Sequence, residues 1–216
     1  MVDLLTRIDH ELAGCVAEKL GISLTEEQRG RELPKPVCGL EADPALSLYA
    51  SGEQVLRGRR VALLAADGVD ADSVETMRAM FREQGIHAML LAPHLGHIAT
   101  EDGGTLKVDG SIGGDPSVLF DAVAMPEGRT SLETLMKCGK TRHYLWEAFK
   151  HLKPIALPGD TKAMLITAGL PVDSGDPGIV TGRDTASAMP GFLEAMKQHR
   201  IWSREKLHCK MPQPGK

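Results

Sequence analysis

Apolar residues in the middle of the chain fall in short unbroken runs, separated by stretches of helical period. Val61 to Ala66 is one such run, bounded by Asp67-Gly68, and it reads as a buried parallel strand. Asp72 and Glu75 frame a capping box, which satisfies two otherwise unpaired donors at a helix start. Val74, Met77 and Phe81 follow at helical spacing, Gly85 ends the pattern, and Ile86 to Ala92 supplies a second apolar strand. Strand, helix and strand with short joints predict a βαβ unit.

The same alternation continues downstream. His97–Thr100 and Thr105–Val108 flank Glu101-Asp102-Gly103-Gly104, a hairpin signal. Val118 to Pro126 reads as a third buried strand and Pro154 to Leu157 as a fourth, with Gly178 to Thr181 as a last one. Thr141 is placed to cap a helix carrying Leu145, Ala148, Phe149 and Leu152 on one face, and Asp160 to cap another through Ala168. Ser187 opens a helix with Met189, Phe192, Leu193 and Met196 on its apolar face. Alternating strands and helices predict an α/β sandwich with a mostly parallel sheet.

Upstream, Leu5, Ile8, Leu12 and Val16 form one stripe over residues 2 to 20, which predicts an amphipathic helix ended by Gly21. Such a helix lies outside the sheet pattern and needs a surface to cover. Residues 25–57, with Pro34, Pro36 and Pro44 among scattered charges, read as an extended linker. The expected organisation is therefore helix 1–24, linker 25–57, α/β domain 58–203 and a disordered tail 204–216.

Composition narrows the function classes. A net charge of −4 gives no electrostatic case for nucleic acid or an anionic membrane. No run approaches the length of a membrane span and the polar start does not resemble a secretory signal, so a cytoplasmic location is expected. Cys15, Cys38, Cys138 and Cys209 are far apart, form no CxxC, and read as free thiols.

Candidate chemistry sits at the carboxyl ends of the strands, where open parallel sheets bind ligands. Asp67 and Glu127 occupy two of those ends and form a candidate acid pair, although strand-end carboxylates also serve as turn or cap residues. No Ser, Cys or Thr stands on the turn after the fourth strand, where an elbow nucleophile is displayed, and the candidate elbow position holds Leu157. Gly139-Lys140-Thr141 lacks the preceding glycine of a phosphate loop, with Thr134 in its place. His94 and His97 have metal-pair spacing but no acidic or thiol partner close by, so surface-loop histidines are the simpler reading. Trp146 and Trp202 are expected at the core edge or an interface.

The ordered segments VALLAADGVDADSV, GIHAMLLAPHLGHIATEDGGTLKVDGSIGGDPSVLFDAVAMPEG, HYLWEAFKHLKPIALPGD and HRIWS resemble the C-terminal domain of large-subunit (clade 2) haem catalases over residues 58–203. That resemblance implies the flavodoxin-like fold of the class I glutamine amidotransferases and the PfpI/glyoxalase superfamily. DLLTRIDHELAGCVAEKLGI is similar to the end of the catalase helical region. Active superfamily members carry a Cys on the elbow, matched by Leu157, and a Glu after the first strand, matched by the Asp67-Gly68 turn. Both departures imply a domain that keeps the fold without the chemistry. The catalase core is missing from this chain, Tyr49 lying in the linker and Tyr144 in a helix. The resemblance thus implies no cofactor here, with haem held by the core of the parent enzyme.

It further implies partners: the catalase core of the parent tetramer, unfolding client proteins bound as by a molecular chaperone, and further copies of the chain. Leu5, Ile8, Leu12 and Val16 are the candidate interaction face. The alternative is a free-standing PfpI/glyoxalase-like enzyme acting on small aldehydes or amides. For that it has only Cys138 in the domain body as a nucleophile.

Overall fold

A computed structural model describes residues 2–33, 55–170 and 175–204. The chain divides into two compact units, Met1–Ser51 and Gly52–Lys216. In the first, α1 (Val2–Leu5) and α2 (His10–Lys19) replace the single helix expected from the stripe. Asp9 breaks the run because it caps α2, its carboxylate accepting the Leu12 amide at 2.9 Å. The stripe is consequently split. Leu5 lies on α1, Ile8 in the intervening turn, and Leu12 and Val16 on α2. Val2, Ala13 and Ala17 form the buried apolar side, while Ile8 and Leu12 are exposed. Thr25 caps a further short helix, α3 (Glu26–Arg29), through a capping box with Gln28, so the expected linker starts with a helical turn. Its stretch 34–54, with Cys38 and Tyr49, lies outside the described residues.

The second unit contains β1 (Arg60–Leu64), α4 (Ala71–Glu83), β2 (His87–Ala92), β3 (His97–Ala99), β4 (Thr105–Lys107) and β5 (Gly110–Ser111). Then come β6 (Ala122–Ala124), α5 (Arg129–Lys137), α6 (Gly139–Lys150), β7 (Ile155–Pro158), α7 (Met164–Ala168), β8 (Ile179–Gly182) and α8 (Thr185–Lys197). Six strands form one sheet in the order β5-β2-β1-β6-β7-β8, every pair parallel. The expected hairpin is present as the antiparallel pair β3-β4. This is the mostly parallel α/β sandwich that the pattern predicts, with the flavodoxin-like arrangement that the resemblance implies.

The strands' alternating side chains feed two cores. Val61, Leu63 and Ala65 pack with Val74, Met77 and Phe81 of α4 and with Met189, Phe192 and Met196 of α8. The rings of Phe81 and Phe192 meet edge to face at 6.1 Å. Ala62, Leu64 and Leu157 face the opposite side, against Leu132 and Leu135 of α5 and Leu145 and Phe149 of α6. Trp146 stacks on Phe149 at the edge of that layer, and Trp202 is half exposed.

Several local expectations are corrected. Asp70, not Asp72, caps α4, and its side chain accepts the Asp72 amide at 3.0 Å. The third strand shrinks to β6, because Ser117–Leu119 forms a 3-10 turn. Helix α5 has Ser131, Leu132 and Leu135 buried but follows Gly128 without a capping side chain, so it carried no start signal. Thr141 lies buried inside α6 rather than at its cap. Asp160 enters a 3-10 turn, Gly159–Ala163, that leads into α7 without a side-chain cap. Asp184 rather than Ser187 caps α8, Ser187 serving as the third residue of its capping box.

Arg204, counted with the tail by sequence, is fully buried. Its guanidinium forks onto Asp176 at 2.6 and 2.9 Å, donates to the Lys153 carbonyl at 2.6 Å and lies 4.5 Å from the centre of the Phe149 ring. Residues 205–216, with Cys209, lie outside the described residues. Beside this staple Lys153 is 3% exposed and donates from Nζ to the Ser117 carbonyl at 2.5 Å. Burial, helped by the charge of Arg200 and opposed by Asp121 and Glu147, pulls its ammonium down to about 8.

An unfolded chain keeps a lysine charged to about pH 10.4, so above pH 8 the unfolded state binds the extra proton. Stability is therefore expected to rise between about pH 8 and pH 10. Above about pH 10 buried Tyr144, whose phenol burial holds above its ordinary range, turns the trend down. Urea midpoints across this window measure the rise, and Lys153→Met is expected to flatten it.

Candidate functional site

The sheet reverses direction of growth at β1, with β2 on one side and β6 on the other, so the crevice between the carboxyl ends of β1 and β6 is the ligand position of such a fold. In this protein the chain fills it. Gly128 follows β6 at φ +131°, and a Cβ there would lie 2.6 Å from the Gly68 carbonyl and 2.7 Å from Val69 Cα. Only glycine lets the two loops close on each other this tightly. The Glu127 carbonyl accepts the Asp70 amide at 2.9 Å, and the Ser131 hydroxyl accepts the Ala66 amide at 2.8 Å.

Glu127 belongs to a closed circuit of hydrogen bonds. Its Oε2 accepts both the amide and the hydroxyl of Thr185, at 2.8 and 2.7 Å. The Thr185 hydroxyl lies 2.6 Å from that of Ser73, and Ser73 Oγ accepts the Glu127 amide at 2.9 Å. With Thr185 donating to the carboxylate, Ser73 must donate to Thr185. Ser73 and Thr185 are both buried. The circuit ties the start of α8, the first turn of α4 and the end of β6 together. Asp67 is not in it: its Oδ1 accepts the Ala99 amide at 2.8 Å and fixes the β3-β4 hairpin. The expected acid pair is two structural acceptors with separate partners.

The elbow also moves. Leu157 points into the buried layer against α5 and α6, so it cannot be displayed. The turn itself falls at Gly159, directly after β7, with φ +54°. A Cβ at this position would lie 2.3 Å from Glu127 Oε1. The residue at the elbow thus has no side chain, and the space a nucleophile needs holds a carboxylate already committed to Thr185. Sequence spacing placed the elbow two residues early because the strand runs through Pro158. The Gly159-Asp160 pair was the available signal.

Cys138 joins α5 to α6 and is partly buried. Burial pushes its thiol up, but hydrogen bonds from the Thr141 hydroxyl, the Thr141 and Lys140 amides, and the Lys140 charge outweigh it, leaving the group more acidic than usual. Its partners are those of a helix start, and neither Glu127 nor Gly159 is among them. The two strand-end histidines His94 and His97 are exposed, and among the described residues no three His, Cys, Asp or Glu side chains gather for a metal ion. Tyr144 is 3% exposed and packs with Ile112, Phe120 and Leu145.

Residues 57–206 match the family described as the C-terminal domain found in long catalases. Catalase HPII of Pseudomonas aeruginosa is 40% identical over 202 residues, covering 94% of this chain and 27% of that protein. Catalase HPII of Mycobacterium avium is 37% identical over 94% of this chain and 30% of its own length, and Catalase-B of Dictyostelium discoideum 32% identical over 97% and 30%. The chain thus spans less than a third of each of these relatives.

Two outcomes follow from the site. Gly159→Ala is expected to lower stability by more than about 1 kcal/mol, since it combines a left-handed backbone with displacement of Glu127, as read from denaturation midpoints. Alkylation of Cys138 by iodoacetamide, followed by peptide mass spectrometry, is expected to reach half its maximal rate at a lower pH than an unstructured thiol peptide does.

Proposed function

The chain belongs to the family of C-terminal domains found in long catalases, and from that premise we propose that it is a non-catalytic accessory domain that covers and stabilises the catalase core of its parent. The observation that carries this reading is Gly159, a side-chain-free elbow pressed against Glu127. A fold whose ligand crevice is sealed by its own loops keeps its packing surfaces and gives up its chemistry. In this reading the haem and the decomposition of peroxide belong to the rest of the parent tetramer, and the setting is cytoplasmic.

As an isolated chain it acts as a holdase for unfolding clients and associates with itself. Exposed Leu4, Ile8, Leu12, Leu20 and Ile22 in the first unit support this, being the kind of apolar surface that captures non-native chains. The interaction face is accordingly drawn from the exposed members of the stripe, Ile8 and Leu12, with Leu5 and Val16 more covered.

The test is light scattering from a heat-labile client protein with and without the chain, with peroxide decomposition measured alongside. Scattering is expected to fall at near-stoichiometric amounts while peroxide is not consumed. Ile8→Ser with Leu12→Ser is expected to restore most of the scattering, and undiminished protection by that variant removes the face from the mechanism.

A further inference from the structure

Outside the sealed crevice, a cleft of about 580 Å³ runs along one face of α6, between that helix and the segment that leads from β5 to β6. The segment follows the helix because it is held near both ends. At the start of α6 the Lys140 side chain lies over Gly113, where a Cβ would come within 2.9 Å of Nζ and 3.3 Å of Cδ. Just past the end of α6 the Lys153 ammonium donates to the Ser117 carbonyl. Between these two ties the cleft has an apolar floor of Ile112 and Tyr144, both buried, and Val118 stands at its rim, 73% exposed.

The charges in its wall are unequal. Glu147 lines the later part of the cleft and is engaged by Lys150 and His151, at 3.8 and 3.3 Å. His143, on the turn before it, is exposed. Lys140 pairs with no carboxylate among the described residues, and its charge acts instead on the Cys138 thiol. Packing of its aliphatic stem over Gly113 thus holds the ammonium at one end of an apolar cleft without neutralising it. Lys140 and Glu147 are two helical turns apart, about 10 Å along the axis of α6.

We propose that this cleft binds a medium-chain aliphatic acid, an apolar molecule with one carboxylate at its end. The carboxylate takes the Lys140 ammonium, a compact point charge that suits a single anionic centre. The chain covers Ile112 and Tyr144 and reaches Val118. The volume is that of a small-molecule site, and such sites are mostly apolar with few polar anchors. Glu147 sets the selectivity, because a second carboxylate at the far end of the ligand meets a like charge there.

Calorimetric titration of the full chain with octanoate is the test. Parallel arms are 1-octanol, which lacks the charge, and octanedioate, which carries a second one. Saturable octanoate binding is expected, tighter than that of either. Lys140→Met, at an exposed position and with the aliphatic stem kept, is expected to weaken it about tenfold. Val118→Asp, at the exposed rim, is expected to weaken it as well. Lys107→Met, exposed on β4, is expected to leave it unchanged. Absence of octanoate binding into the millimolar range overturns the proposal. So does equal binding of 1-octanol or of octanedioate, an affinity that Lys140→Met or Val118→Asp leaves unaltered, or one that Lys107→Met lowers as much.

Discussion

The close approach of Gly128 to the Gly68-Val69 backbone is the constraint on which the functional character of this protein depends. It draws the ends of β1 and β6 together at the point where an open parallel sheet leaves room for a ligand. Once the loops are that close, Glu127 lies against the turn after β7, and its carboxylate finds Thr185 at the start of α8. A strand-end acid that would orient a nucleophile in an open site here closes a circuit through Thr185 and Ser73 and cements three elements. The carboxylate is the same; the geometry around it decides between chemistry and cohesion.

The opposite end of the sheet is held by different means. Arg204 reaches back from beyond α8 to Asp176, the Lys153 carbonyl and the Phe149 ring, so the last described residue of the domain is among its most buried. A buried guanidinium with both edges and one face satisfied holds one register for the segment after α8, whereas breaking either partner leaves an unmatched charge in the interior. Lys153 sits alongside as a buried amine, and that burial, with the nearby charge of Arg200, holds its ammonium low despite a carbonyl acceptor. For a domain read as a structural cover, a pinned segment after α8 and a sealed centre are the relevant properties.

Much of the fold could be read from hydrophobic period alone. Val61–Ala66 is buried on both faces and so is apolar without interruption, Leu90–Ala92 repeats this in the second half of β2, and the spacing of Val74, Met77 and Phe81 is that of a helix lying on a sheet. Helix α5 escaped because it begins at a glycine without a capping side chain, and short helices announce themselves chiefly by their caps. Residues 2 to 20 misled for the converse reason. Leu5, Ile8, Leu12 and Val16 keep a helical spacing across a break at Asp9, and period does not register a side chain that turns back to cap the next helix.

The sequence by itself determined the layers, the parallel sheet and the resemblance to long-catalase C-terminal domains, because burial on both faces and helical spacing are local signatures that survive without neighbours. It also determined that no Cys, Ser or Thr stands immediately after the fourth strand. Only the tertiary structure decided which residue is the elbow, and it is Gly159 rather than Leu157, since strand length sets which side chain turns inward. Only it revealed that Asp67 and Glu127 serve different partners. A carboxylate's role depends on which donors are within about 3 Å of it. Those donors, Ala99 for one and Thr185 for the other, lie far along the chain and meet only when the sheet is assembled.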